Sequence, residues 1–220
     1  MNRCVICQCS AKKLLCTGCQ TLIKAPQAGC RCCAKPLPKL SDCNNSRLCA
    51  DCRKRLPVFD QIFCAGVYQS PGSNWVLALK FSGHLHWARA MAELMTPCLA
   101  DVPLDWPLVA IPLHRKRLLK RGYNQAHEIA RLLAQFSGRQ ALSDVIIRRK
   151  DTAMQATLPE KKRQANVRNA FAVVDRDLPP VVILVDDVLT TGQTLSAAAA
   201  VLKKAGVQQV YGVVFLRSDS

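Results

Sequence analysis

Apolar residues recur along this chain with two different periods, and the periods mark helices and strands. In the stretch 124–135, NQAHEIARLLAQ, the apolar positions Ala126, Ile129, Ala130 and Leu133 fall at i, i+3, i+4 and i+7. That spacing places them on one face of a helix. The run 108–111, LVAI, is short, continuous and apolar, and it stops at Pro112. It reads as a strand buried on both sides, as does 181–185, VVILV. Residues 194–205 predict a helix, with Lys203 and Lys204 in the last turn and Gly206 just beyond, the order a helix C-terminus favours. Residues 207–216 predict a final strand, and 74–80 and 87–94 predict helices. Strands alternating with helices imply an α/β fold, a parallel sheet covered on both faces.

Ahead of this pattern lies a segment with few large apolar side chains. Residues 53–66 read as a join, with Pro57 marking a break. Two units are therefore expected, a small module over 1–56 and a larger domain over 57–220. The whole chain has 220 residues, half of them apolar, enough for a core of ordinary size plus a small extra module. No window reaches the roughly 18 uninterrupted apolar residues of a membrane span. The start, MNRCVICQCS, lacks the apolar core of a secretory signal. A cytoplasmic location is the expectation.

Cysteine changes the picture of the first module. The chain has 13 cysteines, 11 of them before residue 53. Eight form CxxC pairs: Cys4/Cys7, Cys16/Cys19, Cys30/Cys33 and Cys49/Cys52. A CxxC turn aims two thiolates at one ion, and two such turns complete a tetrahedron. Zinc, at one or two sites, is the expected occupant. An iron–sulfur cluster is the minor alternative, because spacing does not identify the metal. A disulfide framework is the weaker explanation in a reducing compartment with an odd count. Sequential use gives Cys4/Cys7/Cys16/Cys19 and Cys30/Cys33/Cys49/Cys52, whereas interleaving would join the first pair to the third. Cys9, Cys32 and Cys43 lie close enough in sequence to replace a ligand. Cys64 and Cys98 read as packing residues. Metal binding would supply much of this module's folding free energy, on the order of 10 kcal/mol per site.

The formal net charge is +16, unevenly spread. Residues 1–60 carry +8 and residues 111–170 carry +10, while 61–110 and 171–220 each carry −1. Two basic blocks suit a polyanion, either nucleic acid or a phosphorylated metabolite. Charge alone serves solubility equally well. Trp75, Phe81 and Trp87 invite base stacking, although their spacing more often means packing. His84, His86, His114 and His127 are scattered, with no partner that marks a nucleophile's base.

The stretch richest in chemistry is 182–194, VILVDDVLTTGQT. An apolar strand leads into Asp186 and Asp187, then a loop of hydroxyls and Gly192, then a helix. In a parallel sheet, ligands gather beyond the carboxyl ends of strands. Free N–H groups and the dipole at a helix N-terminus favour an anion. There is no GxxxxGK[ST] pattern. Carboxylates beside a bound phosphate suit ribose hydroxyls or Mg²⁺, so phosphate, diol and metal together describe a sugar phosphate.

Those residues resemble the phosphoribosyl-pyrophosphate (PRPP) motif of type I phosphoribosyltransferases. The resemblance narrows elsewhere. IPLHRKRLLKRGYNQA (111–126) is similar to the PxPL…R…RGFNQA stretch of the ComF/GntX family, with Tyr123 where phenylalanine is common. RRKDTAMQATLPEKKRQANVRNAF (148–171), LKFSG (79–83) and the paired-CxxC start fit the same family. The resemblance implies a type I phosphoribosyltransferase-like sheet preceded by a zinc-ribbon module. It implies that Thr190, Thr191, Gly192, Gln193 and Thr194 hold the 5′-phosphate. Asp186 and Asp187 would contact the ribose hydroxyls, directly or through Mg²⁺. The pyrophosphate-loop position would fall around Leu113–Arg115, with His114, Arg115, Arg121, Asn124 and Gln125 on the ligand side. Residues 148–168 would close over the site, with Arg148, Thr152, Gln155, Arg163 and Asn166 as motif positions. Arg148 and Arg163 would counter the charge of departing pyrophosphate.

Members of this family are tied to natural competence and use of external DNA. Two functions are therefore expected. One is a PRPP-binding protein acting in uptake or utilisation of single-stranded DNA, alongside DNA-uptake proteins. The other is a phosphoribosyltransferase of nucleotide metabolism with no direct DNA role. A homodimer through a sheet edge is compatible with the fold class. Nothing in these residues suggests a carboxylate-sugar transporter.

Overall fold

The computed structural model describes residues 2–24, 29–37, 47–150, 170–174 and 177–218. The small elements come first: β1 (Asn2–Arg3), β2 (Ser10–Ala11), α1 (Thr17–Gln20) and α2 (Ala50–Lys54). Then follow β3 (Gln61–Val67), α3 (Gly72–Phe81), α4 (His86–Met95), a 3-10 turn (Thr96–Leu99), β4 (Leu108–Ala110), α5 (Arg115–Arg121) and α6 (Gln125–Ser137). The chain continues with β5 (Ala141–Leu142), β6 (Ile146–Arg148), β7 (Phe171–Val173), β8 (Val181–Leu189), α7 (Gln193–Lys204) and β9 (Gln209–Arg217). Among the described residues, no helix is long and apolar enough to cross a membrane.

Five strands form one sheet in the order β3-β9-β8-β4-β5, and every neighbouring pair is parallel. This is the expected α/β, phosphoribosyltransferase-like sheet. The central strand β8 shows why its sequence is continuously apolar. Val182 and Leu184 join the core on the face covered by α7, with Leu195, Ala198, Ala199 and Leu202. Ile183 and Val185 join the opposite core, with Leu79 of α3, Met91 of α4 and Ile129 of α6. Side chains alternate across a strand, so a strand covered on both faces must be apolar at every position.

The helical stripe on α6 is as the sequence predicts. Ala126, Ile129, Ala130 and Leu133 are buried. Asn124 caps the N-terminus by accepting from the Ala126 amide, and Gly138 ends the helix at φ 71. Trp75 and Trp87 stack at 4.7 Å between ring centroids, with Phe215 6.1 Å from Trp75. Those two tryptophans pack, whereas Phe81 is 64% exposed.

Three expectations need correction. Strand β8 does not end at Val185; its pairing with β9 runs on through Asp186 to Leu189. Both aspartates therefore sit inside the strand, because β9 is long enough to keep pairing there. The join at 53–66 holds most of an edge strand, β3, whose register with β9 begins at Gln61↔Tyr211. Its Ala65 and Gly66 carry little strand propensity, so pattern alone does not mark it. The loop expected around Leu113–Arg115 stops at His114, because helix α5 begins at Arg115. None of the residues of α5 is buried, so it has no apolar stripe to read.

Both cysteine clusters lie against the sheet. Cys30, Cys32, Cys33, Cys49 and Cys52 belong to the core on the α7 face, and Cys4 and Cys19 to the core on the other. Ile23 wedges between the first cluster and the sheet. A Cβ added at Gly66 would come within 2.5 Å of Ile23 Cγ2.

Candidate phosphate-binding and metal sites

At the carboxyl end of β8, Asp187 is buried and meets Lys80 of α3, with Nζ 2.9 Å from Oδ2. Asp187 shares the strand face of Ile183 and Val185, where α3 packs. Asp186 Oδ1 accepts from the Asp187 amide at 2.9 Å. Burial, and after it the charge on Asp187, push Asp186 up to about 7, against the pull of Lys80. Burial draws Lys80 downward, but Asp187 and then Asp186 raise it on balance, while Arg121 opposes them. Two carboxylates, one ammonium and one guanidinium thus share a poorly hydrated corner. Such a cluster holds negative charge ready for a cation or for hydroxyl donors.

Directly after β8 the chain turns through Thr190 and Thr191, both exposed, to buried Gly192 at φ 76. Gly192 is the N-cap of α7, and no side chain caps that end. The first amides of a helix have no partner within it. In α7 that end follows directly on the acids of β8 and carries the positive end of the helix dipole. Gly192 is needed because its φ is left-handed; the Phe59 ring packs beside it, 3.4 Å from where a Cβ would stand.

The RGYNQA motif ties three elements to this corner. Gly122 ends α5 at φ 84. The Tyr123 hydroxyl donates to the Leu79 carbonyl, next to Lys80. Asn124 donates to the Ile111 carbonyl at 3.0 Å while accepting from the Ala126 amide. Arg121 donates to buried Gln125 and lies over the Phe81 ring at 5.6 Å. These side chains hold the end of α3, the end of β4 and the start of α6 together. His114 caps α5, its Nδ1 accepting from the Lys116 amide at 3.3 Å, and Arg115 opens that helix on the exposed side.

The cysteines gather in the sequential arrangement. Cys4, Cys7, Cys16 and Cys19 form one group and Cys30, Cys33, Cys49 and Cys52 another, each with its four sulfurs within 4.8 Å of one another. The two sites repeat one construction. The amides of Cys4 and Cys30 donate to the carbonyls of Cys9 and Lys35, each five residues on. Gln8 and Ala34, each following the second cysteine of its pair, adopt φ 61 and φ 56. Cys16 and Cys49 cap α1 and α2 with their sulfurs. Burial alone would raise the Cys4 thiol, but nearby amides, those of Cys16 first, bring it down to about 6. Cys30 follows the same pattern and falls to about 7, while Cys33 and Cys52 are raised chiefly by burial. Four soft sulfurs within 4.8 Å of one another, with backbone amides donating toward them, fit Zn²⁺. Cys9 approaches Cys7 at 3.1 Å between sulfurs; Cys43 lies outside the described residues. Cys64 and Cys98 are partly buried packing residues.

Comparison with known proteins decides the family. Residues 118–220 match the family described as phosphoribosyl transferase domain. Competence protein F of Haemophilus influenzae is 32% identical over 225 residues, covering 94% of this chain and 93% of that protein. The chain belongs to the ComF family. DNA utilization protein YhgH of Salmonella typhi is 29% identical, and that of Escherichia coli 27%; each comparison covers 89% of this chain and 87% of the relative.

Within this ComF-family fold, Asp186 and Asp187 lie in β8, and the 190–194 turn follows directly and opens α7. Arg148 ends β6; its guanidinium lies over the Phe171 ring at 5.5 Å, and its backbone pairs with that of His114 in a single parallel bridge. Thr152, Gln155, Arg163 and Asn166 lie outside the described residues. Lys80 is the residue that motif reading passed over. It sits in LKFSG, roughly a hundred residues before its partner, and only the packing of α3 on β8 brings the two together.

Proposed function

We propose that this ComF-family protein binds phosphoribosyl pyrophosphate with Mg²⁺ at the carboxyl end of β8 and acts in uptake or utilisation of external single-stranded DNA. One observation carries the ligand: a buried, lysine-paired aspartate and its acidic neighbour lead into a glycine turn at an uncapped helix N-terminus. The amides opening α7 take the 5′-phosphate, and the hydroxyls of Thr190, Thr191 and Thr194 add donors. Asp186 and Asp187 accept from the ribose hydroxyls. Lys80 pairs with Asp187 at 2.9 Å and fixes its position before ligand arrives. Mg²⁺, held by these carboxylates and the ligand, would neutralise pyrophosphate charge. Arg148 and Arg163 add cations from the 148–168 segment, which excludes water when it covers the site. His114 and Arg115 serve the pyrophosphate side, while Asn124 and Gln125 hold that wall in place.

The DNA role draws on the names of the relatives and on the basic surface. Arg115, Lys116 and Lys120 of α5 are exposed, as are Lys12, Lys13, Arg53, Lys54 and Arg55 around the cysteine sites. The module over 1–56 is then a zinc-stiffened platform for phosphates, attached to the domain over 57–220.

Two titrations test the proposal. PRPP with Mg²⁺ should bind wild type at least tenfold more tightly than Asp187→Ala; equal affinities end the ligand assignment. Single-stranded DNA should bind with a steep negative slope of log affinity against log salt. No DNA binding at low salt leaves the alternative, a phosphoribosyltransferase of nucleotide metabolism, which pyrophosphate release with candidate nucleobases would identify.

A further inference from the structure

Arg217, the last residue of β9, is 4% exposed, and its partners are main-chain carbonyls. Its Nε donates to the Cys33 carbonyl at 3.0 Å. Its Nη1 donates to the Leu189 carbonyl at 3.2 Å and also to the Ser218 carbonyl. Cys33 belongs to the second four-sulfur group, and Leu189 is the residue before Thr190. One guanidinium therefore spans the backbone of a metal ligand and the root of the phosphate turn. A parallel contact reinforces it. The Ile62 amide donates to the Cys32 carbonyl at 2.8 Å, and Phe59, three residues earlier, lies under Gly192.

A buried guanidinium tolerates little displacement, because its donors are fixed in one plane and each lost partner leaves an unpaired charge-bearing group. Its geometry thus depends on where the Cys33 carbonyl is held. Four thiolates on one ion hold that carbonyl; four thiols without one do not. We propose that Arg217 is a positioning residue that transmits metal occupancy of the second cysteine site to the phosphate turn at 190–194. With the site filled, Arg217 clamps the Leu189 carbonyl and the turn presents its amides in one arrangement. With the site empty, the clamp loosens and the turn samples others. Among the described residues, the first cysteine group shares no such guanidinium with the turn, and its Cys4 and Cys19 pack on the opposite face of the sheet. This inference rests on the proposed function only for the identity of the turn's ligand.

Amide hydrogen exchange on zinc-loaded protein, without any phosphate ligand, tests the link. Arg217→Met should speed exchange across residues 189–195 at least tenfold while residues 182–185 stay protected and zinc content is unchanged. Arg217→Lys should recover part of the protection. Arg139→Met is the control. It also removes a buried guanidinium from three carbonyls, those of Leu99, Val102 and Pro103, but at the opposite end of the strands. It should lower thermal stability without selectively loosening the turn. Chelation of wild type should reproduce the Arg217→Met pattern, and chelation of Arg217→Met should add less than twofold. A turn as protected in Arg217→Met as in wild type overturns the proposal, as does equal loosening by Arg139→Met. Because no PRPP is present, a protein that fails to bind PRPP can still pass, and one that binds PRPP can still fail.

Discussion

Lys80 and Asp187 meet at 2.9 Å where Asp187 has almost no access to water. Removing one partner of such a pair strands the other, and the low end of the buried range applies because the Lys80 side chain is 22% exposed. Lys80→Met should therefore lower stability to urea by about 3 kcal/mol. Lys80→Met with Asp187→Asn should recover most of that loss, since no charge is left unpaired. Asp186 makes a separate prediction through pH. Its folded value, about 7, lies above the ordinary carboxylate value, so the folded state binds the extra proton. The associated stability is fully present at low pH and is lost as pH rises through the folded value. Asp186→Asn, which cannot ionise, should thus gain stability over wild type on going from pH 5 to pH 8 in thermal melts. A gain confined to pH 5 would contradict the raised Asp186 value. Mg²⁺-dependent ligand affinity should move the other way and weaken below pH 7, where Asp186 is protonated.

Asn124 shows how one residue fastens several elements. Its side chain caps α6 through the Ala126 amide and pins the end of β4 through the Ile111 carbonyl. Loss of the cap costs about 1 kcal/mol and loss of the second bond about another. Asn124→Ala should therefore cost about 2 kcal/mol in chemical denaturation. Asn124→Asp keeps the acceptor and loses the donor, so it should recover about half. A cost for Asn124→Asp as large as that for Asn124→Ala would mean that the cap contributes nothing. At this scale the sequence was legible where a helix had a buried stripe. α6 and α7 could be read from Ile129, Leu133, Leu195 and Leu202. α5 could not, because RKRLLKR buries nothing and its form depends on His114 at one end and Gly122 at the other.

Across the molecule, the cysteine sites and the sheet share their cores, so metal should stabilise more than the first module. Freshly purified protein should hold about two zinc ions per chain in a total-metal assay. Stripping them should lower the melting temperature of the entire chain rather than release the module alone. Less than one zinc per chain, or an unchanged melt after chelation, would contradict that coupling. The contact that decides it is Arg217, which no spacing rule could find, because Cys33, Leu189 and Arg217 approach only when β9 closes beside β8.

The sequence by itself determined the parallel sheet, the paired-cysteine sites and the acid–threonine–glycine turn. Each of these is written locally, in a period of apolar residues or in ligands a few positions apart. Tertiary structure alone decided that Lys80 pairs with Asp187, that the strand carries both aspartates on to Leu189, and that the second four-cysteine group backs the turn at 190–194. Those facts depend on which helix packs on which face of β8. That is settled by burial summed over the whole core, not by any short stretch of chain.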